Sequence, residues 1–450
     1  MTRVYDRRMP TPVRLVPKLP LVAALLLAGA VAGGVAAGGA QVGSPAVERA
    51  TMAAAEAERA PMIETIRELV AIESGSHDPE GLRAIADVVA ERLRALGGDV
   101  ELVTHDDPYR MVDTPDELGP TVVGRFRGRG RGRILLLAHM DTVYRRGQLA
   151  EQPFRISDGR AYGLGIVDDK SGVAIILHAL AVLRALDFDD YELITVLLNG
   201  DEEVSSAGSR TLITELGAAH DAVFSCEGGG ADDRLALATA GIGAVALTVT
   251  GRASHAGSAP EQGRNALYEL AHQVLQMRDL ADADVGIKFN WTLAEAGARR
   301  NVIPARAQAT ADYRVLRVAD YDRVERTVRA RIRNRLVEGT TVEVAFERRR
   351  PPLEISPASR ALAAHAQEVY RETGRSLRVS DQAAGGGTDA AFAALESEAP
   401  VIEGFGLVGA GAHSDAREYV ELDSVVPRLY LLVRMIMDVA AGRSPAVLAP

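Results

Sequence analysis

The stretch YELITVLLNGDEE, residues 191–203, is a continuous apolar run that ends on three adjacent carboxylates. Such a run is typical of a strand that is buried on both faces. Two further runs end in a similar way, RILLLAHMD (133–141) and VFSCE (223–227). Since ligand sites in open α/β sheets lie beyond the carboxyl ends of the strands, these ends predict one functional edge. For a single acidic triplet, a solvated turn is the alternative.

Helical segments alternate with these strands. Apolar residues recur at helical spacing over residues 47–69, 80–96 and 168–187, and a last amphipathic segment begins at residue 424. Strand, helix and strand in alternation indicate an α/β fold, with a mostly parallel sheet flanked by helices.

The pattern changes after residue 240. Four strand-like segments follow, with helical spacing at 266–278 and 320–336, and the α/β pattern then resumes. We interpret this order as a smaller α+β sandwich inserted into the first domain. The predicted division is a catalytic domain over 46–240 and 352–450 and an inserted domain over 241–351.

The first 40 residues have the composition of an export signal. Five basic residues and one acidic residue accompany an apolar run that is rich in Ala and Gly. We therefore expect a signal peptide over 1–40 and a periplasmic or secreted protein. Because the run is nearly long enough to span a bilayer, an uncleaved membrane anchor is the alternative.

Charge and cysteine content exclude several classes of function. Subtracting the leader's net +4 from the chain's −10 leaves −14, which argues against nucleic acid and anionic membrane surfaces as partners. The single cysteine, Cys226, excludes an internal disulfide and any cysteine-based zinc site. A metal in this protein must be held by histidines and carboxylates.

Five residues at the predicted edge and in nearby glycine-rich loops could ligate metal: His139, Asp168, Glu203, Glu227 and His413. Two histidines and three carboxylates suit two divalent ions that share one carboxylate, with zinc the first choice and Co²⁺ an alternative. Two such ions can activate water and polarise a carbonyl, which is hydrolytic chemistry. Glu202, left without a metal role beside a ligand, is the candidate general base. A capped helix at Asp168 and a solvated loop histidine at His413 are the alternatives.

The motifs together resemble a known family. LLAHMDTV, YGLGIVDDKSG, NGDEEVSSAGS, GRASHAG, RRNVIP and GGGTDAAFA…GAHSD occur in the order found in the co-catalytic zinc metallopeptidases. That family includes glutamate carboxypeptidase (carboxypeptidase G), the aminoacylases and succinyl-diaminopimelate desuccinylase. The resemblance covers residues 50–442 and is closest to glutamate carboxypeptidase, through HAGSAPEQGRNAL, FNWTLAEAG and HSDAREYV.

The resemblance implies a role for each metal-site residue. One zinc ion would be held by His139, Asp168 and Glu227, and the other by Asp168, Glu203 and His413. Asp168 would be the bridging ligand, and a cis peptide bond would follow it. Asp141 would orient His139, and Glu202 would be the general base.

The resemblance also implies how the substrate is bound. His255 would reach the partner subunit's active site in a homodimer and stabilise the oxyanion. Asn301, Arg314 and Arg350 would bind the terminal carboxylate of the substrate, although Arg350 has two arginine neighbours that match equally well. Arg234 would face a glutamate side chain, and a solvated surface arginine is the alternative there.

Three functions follow from these observations. The first is a metal-dependent hydrolase that releases a C-terminal amino acid, expected to be glutamate, from an acyl, peptidyl or folate-type conjugate. The second is a broader N-acyl amino acid amidohydrolase or dipeptidase. The third, a binding module without catalysis, conflicts with the presence of Glu202 and all five candidate ligands.

Overall fold

The computed structural model describes residues 44–414 and 417–443. The predicted leader lies outside these residues. Nine α-helices are described: α1 (Pro45–Val70), α2 (Pro79–Ala95), α3 (Ser171–Ala185), α4 (Arg210–Ala218), α5 (Ala266–Gln276), α6 (Ala319–Arg331), α7 (Pro357–Arg371), α8 (Asp389–Ala393) and α9 (Val425–Ala440). Within the described ranges, no helix is both long and apolar enough to cross a membrane.

The described residues also form sixteen strands: β1 (Asp99–Val103), β2 (Thr121–Arg127), β3 (Arg133–His139), β4 (Arg155–Ser157), β5 (Arg160–Tyr162), β6 (Leu193–Asn199), β7 (Ala222–Ser225), β8 (Arg234–Ala236), β9 (Gly241–Thr250), β10 (Lys288–Ala296), β11 (Arg306–Val315), β12 (Thr341–Arg350), β13 (Arg378–Ser380), β14 (Val401–Ile402), β15 (Gly409–Ala410) and β16 (Tyr419–Glu421).

The main sheet has six strands in the order β1-β2-β6-β3-β7-β14. The four strands from β6 to β14 run parallel, and β1 and β2 join antiparallel at one side. Successive residues of a strand face opposite sides of a sheet. In β3, accordingly, Ile134 and Leu136 join one apolar core, and Leu135 and Leu137 join another. Both faces are covered, which explains the continuous apolar runs and confirms the predicted α/β class.

Helices cover the two faces of this sheet. On one face α1 packs against α3 and α9, and these helices contribute to the larger apolar core. On the other face α4 packs against α8. The connection from the sheet to α3 passes through a short kinked turn, Ile166–Lys170, in which Asp168 and Asp169 have non-helical backbone angles.

A second sheet lies between residues 241 and 350. Its four strands run antiparallel in the order β10-β11-β9-β12, and its own apolar core includes side chains of α5 and α6. This is the inserted α+β unit, although its boundaries as a domain stay a prediction. Helix α6 ends at Arg331 rather than near residue 336, because the Leu336 and Val337 N–H groups donate to Glu269.

Candidate metal centre

The three predicted strand ends meet at one edge of the main sheet. Strand β3 pairs in parallel with β6 on one side and β7 on the other, and His139 stands opposite Asn199. The carboxylates that follow β6 and β7 therefore leave the sheet beside His139. The expected functional edge is present.

His139 is fixed by the residue two positions further on. Its side chain is 1% exposed, and Nδ1 lies 3.1 Å from the Asp141 carbonyl oxygen and 3.3 Å from Asp141 Oδ1. Both contacts favour a proton on Nδ1, which leaves Nε2 as the nitrogen free to bind metal. Asp141 also accepts hydrogen bonds from the Glu202 and Glu203 backbone N–H groups, each at 3.0 Å, and from the Ser76 hydroxyl at 2.8 Å. One carboxylate thus positions both the histidine and the acidic turn.

The segment that carries Asp168 is held by Glu418. This buried carboxylate accepts hydrogen bonds from the backbone N–H groups of Gly165, Val167 and Asp168 at 2.9, 2.9 and 3.2 Å. The Tyr144 hydroxyl donates to it at 2.6 Å. The Asp168–Asp169 peptide bond is cis, as the resemblance implied. The position of Asp168 therefore depends on a residue 250 positions later in the chain.

The two carboxylate oxygens of Asp168 face different histidines. Oδ1 lies 2.9 Å from His139 Nε2, and Oδ2 lies 3.3 Å from His413 Nε2. His413 Nε2 is also 3.1 Å from Glu203 Oε2. Ligand atoms of Asp168, Glu203 and His413 all lie within 4.8 Å of one another, close enough to hold one ion. A carboxylate between two histidines is the arrangement expected of a bridging ligand.

Glu227 supplies a further, half-buried carboxylate. Burial raises its pKa well above the usual range, and repulsion from Glu403, Glu202 and Asp168 raises it further. Asp168 and His139 thus lie within electrostatic range of Glu227, as a shared ion would require. Glu227 is not part of the tight group formed by Asp168, Glu203 and His413.

The raised pKa values of the two histidines indicate that the site suits a cation. Burial opposes charge on His139, yet hydrogen bonds to Asp141 and Asp168 raise its pKa well above normal. The contacts of His413 with Asp168 and Glu203 raise its pKa to about 10. Protons on the histidines therefore compensate the crowded carboxylates. Divalent ions bound to these nitrogen and oxygen atoms would provide the same compensation and leave the histidines neutral.

Glu202 is buried and paired with an arginine of the inserted unit. Its Oε1 lies 2.8 Å from Arg350 Nη2, and that nitrogen also contacts the Glu202 carbonyl. Burial raises the pKa of Glu202 well above its usual range, although Arg350 opposes the rise. The Arg350 side chain, 5% exposed, also pairs with Asp389 at 3.3 Å. The substrate-binding role predicted for Arg350 stays a prediction, because its observed partners are carboxylates of the protein.

His255 and Asn301 lie together on the surface of the inserted unit. The Ala256 N–H donates to the Asn301 carbonyl at 2.9 Å, and a backbone bridge joins His255 to Val302. His255 Nδ1 accepts hydrogen bonds from two backbone N–H groups at 3.1 Å, so a neutral ring carries its proton on Nε2. Among the described residues, no hydrogen bond or ion pair joins His255 to the metal-site residues. The structure brings these two residues together but leaves them apart from the metal site.

The two remaining predicted arginines have carboxylate partners in the protein. Arg314 makes two hydrogen bonds of 3.0 Å to Asp312 and one of 3.2 Å to the Gly385 carbonyl. Arg234 pairs with Asp232 at 2.7 Å, and its side chain is 45% exposed. Their predicted roles in substrate binding stay predictions.

Several positioning residues were missed by sequence reasoning. Glu418 and Asp389 lie inside motifs that were recognised, HSDAREYV and GGGTDAAFA, but no role was inferred for them. Ser76 had no signal in the sequence, since a serine in a polar loop is ordinary.

Comparison with known proteins identifies the family. Residues 135–438 match the model of Peptidase family M20/M25/M40. The chain belongs to this family. As an M20 peptidase it is a metal-dependent hydrolase, and the resemblance drawn from its motifs is confirmed.

Similar proteins cover most of the chain. The chain is 43% identical over 391 residues to Carboxypeptidase G2 from Pseudomonas sp. (strain RS-16). The match covers 87% of this chain and 92% of that relative. Succinyl-diaminopimelate desuccinylase from Methylobacterium radiotolerans is 28% identical over 74% of this chain and 86% of its own. The solved structure of aminopeptidase PepT from Bacillus cereus ATCC 10987 has a TM-score of 0.69 at 21% identity, covering 85% of this chain and 99% of its own. That last likeness concerns the fold alone.

Proposed function

We propose that the protein is a carboxypeptidase that uses two zinc ions to release C-terminal glutamate from an acyl or peptidyl conjugate. The similarity to Carboxypeptidase G2 over almost its full length supports the reaction class. We further propose that the enzyme is exported and works as a homodimer.

The observation that carries the two-metal proposal is the placement of Asp168. Its Oδ1 faces His139 and its Oδ2 faces His413. One ion would be held by His139, Asp168 and Glu227, and the second by Asp168, Glu203 and His413. Ions held there supply Lewis acidity, which polarises an amide carbonyl and acidifies water.

Proton transfer is assigned to Glu202. Its carboxylate takes a proton from the attacking water and passes it to the leaving nitrogen as the amide C–N bond breaks. Burial raises the pKa of Glu202, and a raised pKa suits a group that must both accept and return a proton near neutral pH.

We assign substrate binding to the inserted unit. His255 presents an Nε2–H donor outward, which suits stabilisation of a developing oxyanion. Asn301 and Arg314 would bind the α-carboxylate, for which a guanidinium offers two parallel hydrogen bonds. Since His255 is exposed and has no contact with the described metal site of its own chain, a partner subunit is the proposed location of its target.

Replacement of Glu202 by Gln tests the assignment of the base. Turnover of an N-acyl-glutamate should fall by about 10²–10⁴-fold, because the water loses its proton acceptor. Metal content, measured by elemental analysis, should stay near that of the wild type. An E202Q enzyme with half of the wild-type turnover would contradict this mechanism.

A second function, an amidohydrolase of broader specificity, is favoured by one observation. The guanidinium of Arg234, the predicted receptor of the glutamate side chain, is already paired with Asp232. Comparison of N-acyl-glutamate, N-acyl-glutamine and N-acyl-leucine with one acyl group decides between the two. A preference for glutamate that is lost in Arg234→Ala supports the carboxypeptidase, whereas equal cleavage of leucine supports the amidohydrolase.

A further inference from the structure

The turn that carries Glu202 has an unusual backbone. Ser205 and Ser206 follow it with φ values of 65° and 51°, in the left-handed region that residues other than glycine seldom adopt. Two consecutive residues of this kind persist only where surrounding contacts hold them. The conformation of this turn therefore depends on its neighbours.

Arg210, the first residue of α4, supplies such contacts. Its guanidinium donates to the Ser205 carbonyl at 2.6 Å and to the Ser206 carbonyl at 3.2 Å. The same group donates to the carbonyls of Arg348 and Arg349 at 3.2 and 2.9 Å. These last two residues belong to β12 of the inserted unit. One side chain thus ties the catalytic turn to a strand of the other sheet.

The setting of Arg210 indicates that its shape matters more than its charge. No carboxylate in the described part of the chain forms an ion pair with it, and its hydrogen-bond acceptors there are mainly backbone carbonyls. Its guanidinium carbon lies 4.2 Å from the centre of the Tyr109 ring and 4.9 Å from that of Phe392. A planar group with several donors fits between aromatic rings and four carbonyls, and a lysine ammonium cannot reproduce that pattern.

The end of β12 makes a second connection to the same turn. Arg350, its last residue, lies 2.8 Å from the Glu202 carboxylate. Asp389 pairs with Arg350 and also contacts the Ser206 hydroxyl. The carboxylate and the backbone of the turn are therefore both anchored to β12, through Arg350 and Arg210.

We propose that Arg210 is a positioning residue for Glu202. It fixes the turn to the end of β12, so that the direction of the Glu202 carboxylate depends on where the inserted sheet lies. This inference rests on the proposed role of Glu202 as the base. It adds a residue to which neither the motifs nor the relatives gave a function.

The substitution Arg210→Lys keeps the charge and removes the planar fork. We expect kcat on an N-acyl-glutamate to fall about tenfold to a hundredfold, the usual cost of a misplaced catalytic group. KM should change less than about threefold and metal content should not change, because substrate and metal are held by other residues. Arg184→Lys is the matched control, since Arg184 donates to the Ala95 carbonyl away from the site, and it should keep wild-type kinetics.

A double-variant cycle separates positioning from general weakening of the fold. In an E202Q enzyme the base is already absent, so adding Arg210→Lys should cost little more. Equal losses in both backgrounds, or wild-type kcat in Arg210→Lys, would overturn the inference.

If Arg210→Lys does not fold, Tyr109→Leu, which removes one stacking ring, should lower kcat in the same direction and show the same dependence on Glu202. An active E202Q enzyme would instead refute the proposed role of Glu202 as the base, on which this inference rests.

Discussion

The metal centre and the His255–Asn301 pair are built in opposite ways. His139 is 1% exposed, and Asp141 fixes both this histidine and the neighbouring acidic turn. His255 is exposed and is held by backbone contacts of its own loop. The first region has its side-chain partners within one chain. The second offers a donor that contacts no target within the described residues, which is why we assign its target to another subunit.

The comparison teaches that the two regions should fail differently. Loss of a ligand at the metal centre should release metal, because its ligands hold one another in place. Damage to the exposed region should leave the metal bound and remove only catalysis.

The largest effect is expected from Asp168→Ala. This change removes an oxygen donor from both proposed ions at once, so both metal content and activity should fall below detection. Elemental analysis after gel filtration measures the metal, and His255→Ala is the control that should keep it. Two tightly held ions per chain in the Asp168 variant would rule out a bridging role.

His255→Ala should give a large but conditional loss. A homodimer of the His255→Ala variant should be nearly inactive and keep its full metal content. The same result is expected of an E202Q homodimer. After subunit exchange, an equal mixture of the two variants should regain about a quarter of wild-type activity. Half of the dimers are then mixed, and each of these has one competent site. Exchange itself can be verified by native mass spectrometry of a tagged chain. Verified exchange without recovery would place His255 at its own subunit's site or outside the chemistry.

Glu418→Gln should weaken metal binding by about 10–100-fold, the usual effect of disturbing a residue that orients a ligand. Each oxygen of Glu418 accepts two hydrogen bonds, and the amide of a glutamine would turn a donor toward one of those pairs. Competition with a chelator measures the affinity. Glu421→Gln, three residues further along in β16 and paired with Arg160, is the matched control and should bind metal normally. Equal affinities would show that Glu418 supports only the fold.

The smallest effect concerns the pH dependence of stability. In the metal-free protein the pKa values of Glu203, Glu227, His139 and His413 are all raised. A group with a raised pKa stabilises the fold fully below its unfolded pKa and loses that contribution as pH rises through the folded pKa. The metal-free protein should therefore unfold at a higher temperature at pH 5 than at pH 8. The pKa of Asp168, which is lowered, acts only below this window.

The metal-loaded protein should show the opposite trend, since protons compete with metal for the same atoms. Thermal unfolding of both forms over this range tests the contrast. Parallel curves would mean that no metal is held by these groups.

The sequence predicted the main sheet because burial on both faces leaves a continuous apolar run, as in β3 and β6. It also predicted that the residues after β3, β6 and β7 meet, since parallel strands place their carboxyl ends together, whereas the grouping of Asp168 and His413 with them followed from the family resemblance. Contacts between distant segments were not predictable. Nothing local in HSDAREYV shows that Glu418 accepts hydrogen bonds from residues 165–168. The partner of Arg350 likewise depends on how β12 meets the acidic turn, which no local pattern records.

The hydrogen bonds of Glu418 to the Asp168 segment also set an order in time. A ribosome must add 250 residues after Asp168 before Glu418 exists, and His413 is made only shortly earlier. A nascent chain that ends before residue 413 already contains His139, Asp168, Glu203 and Glu227. It lacks the Glu418 carboxylate that holds the Asp168 segment. Stable metal capture must therefore follow the synthesis of the last strands, and a fragment that stops before residue 413 should not retain metal at the second position.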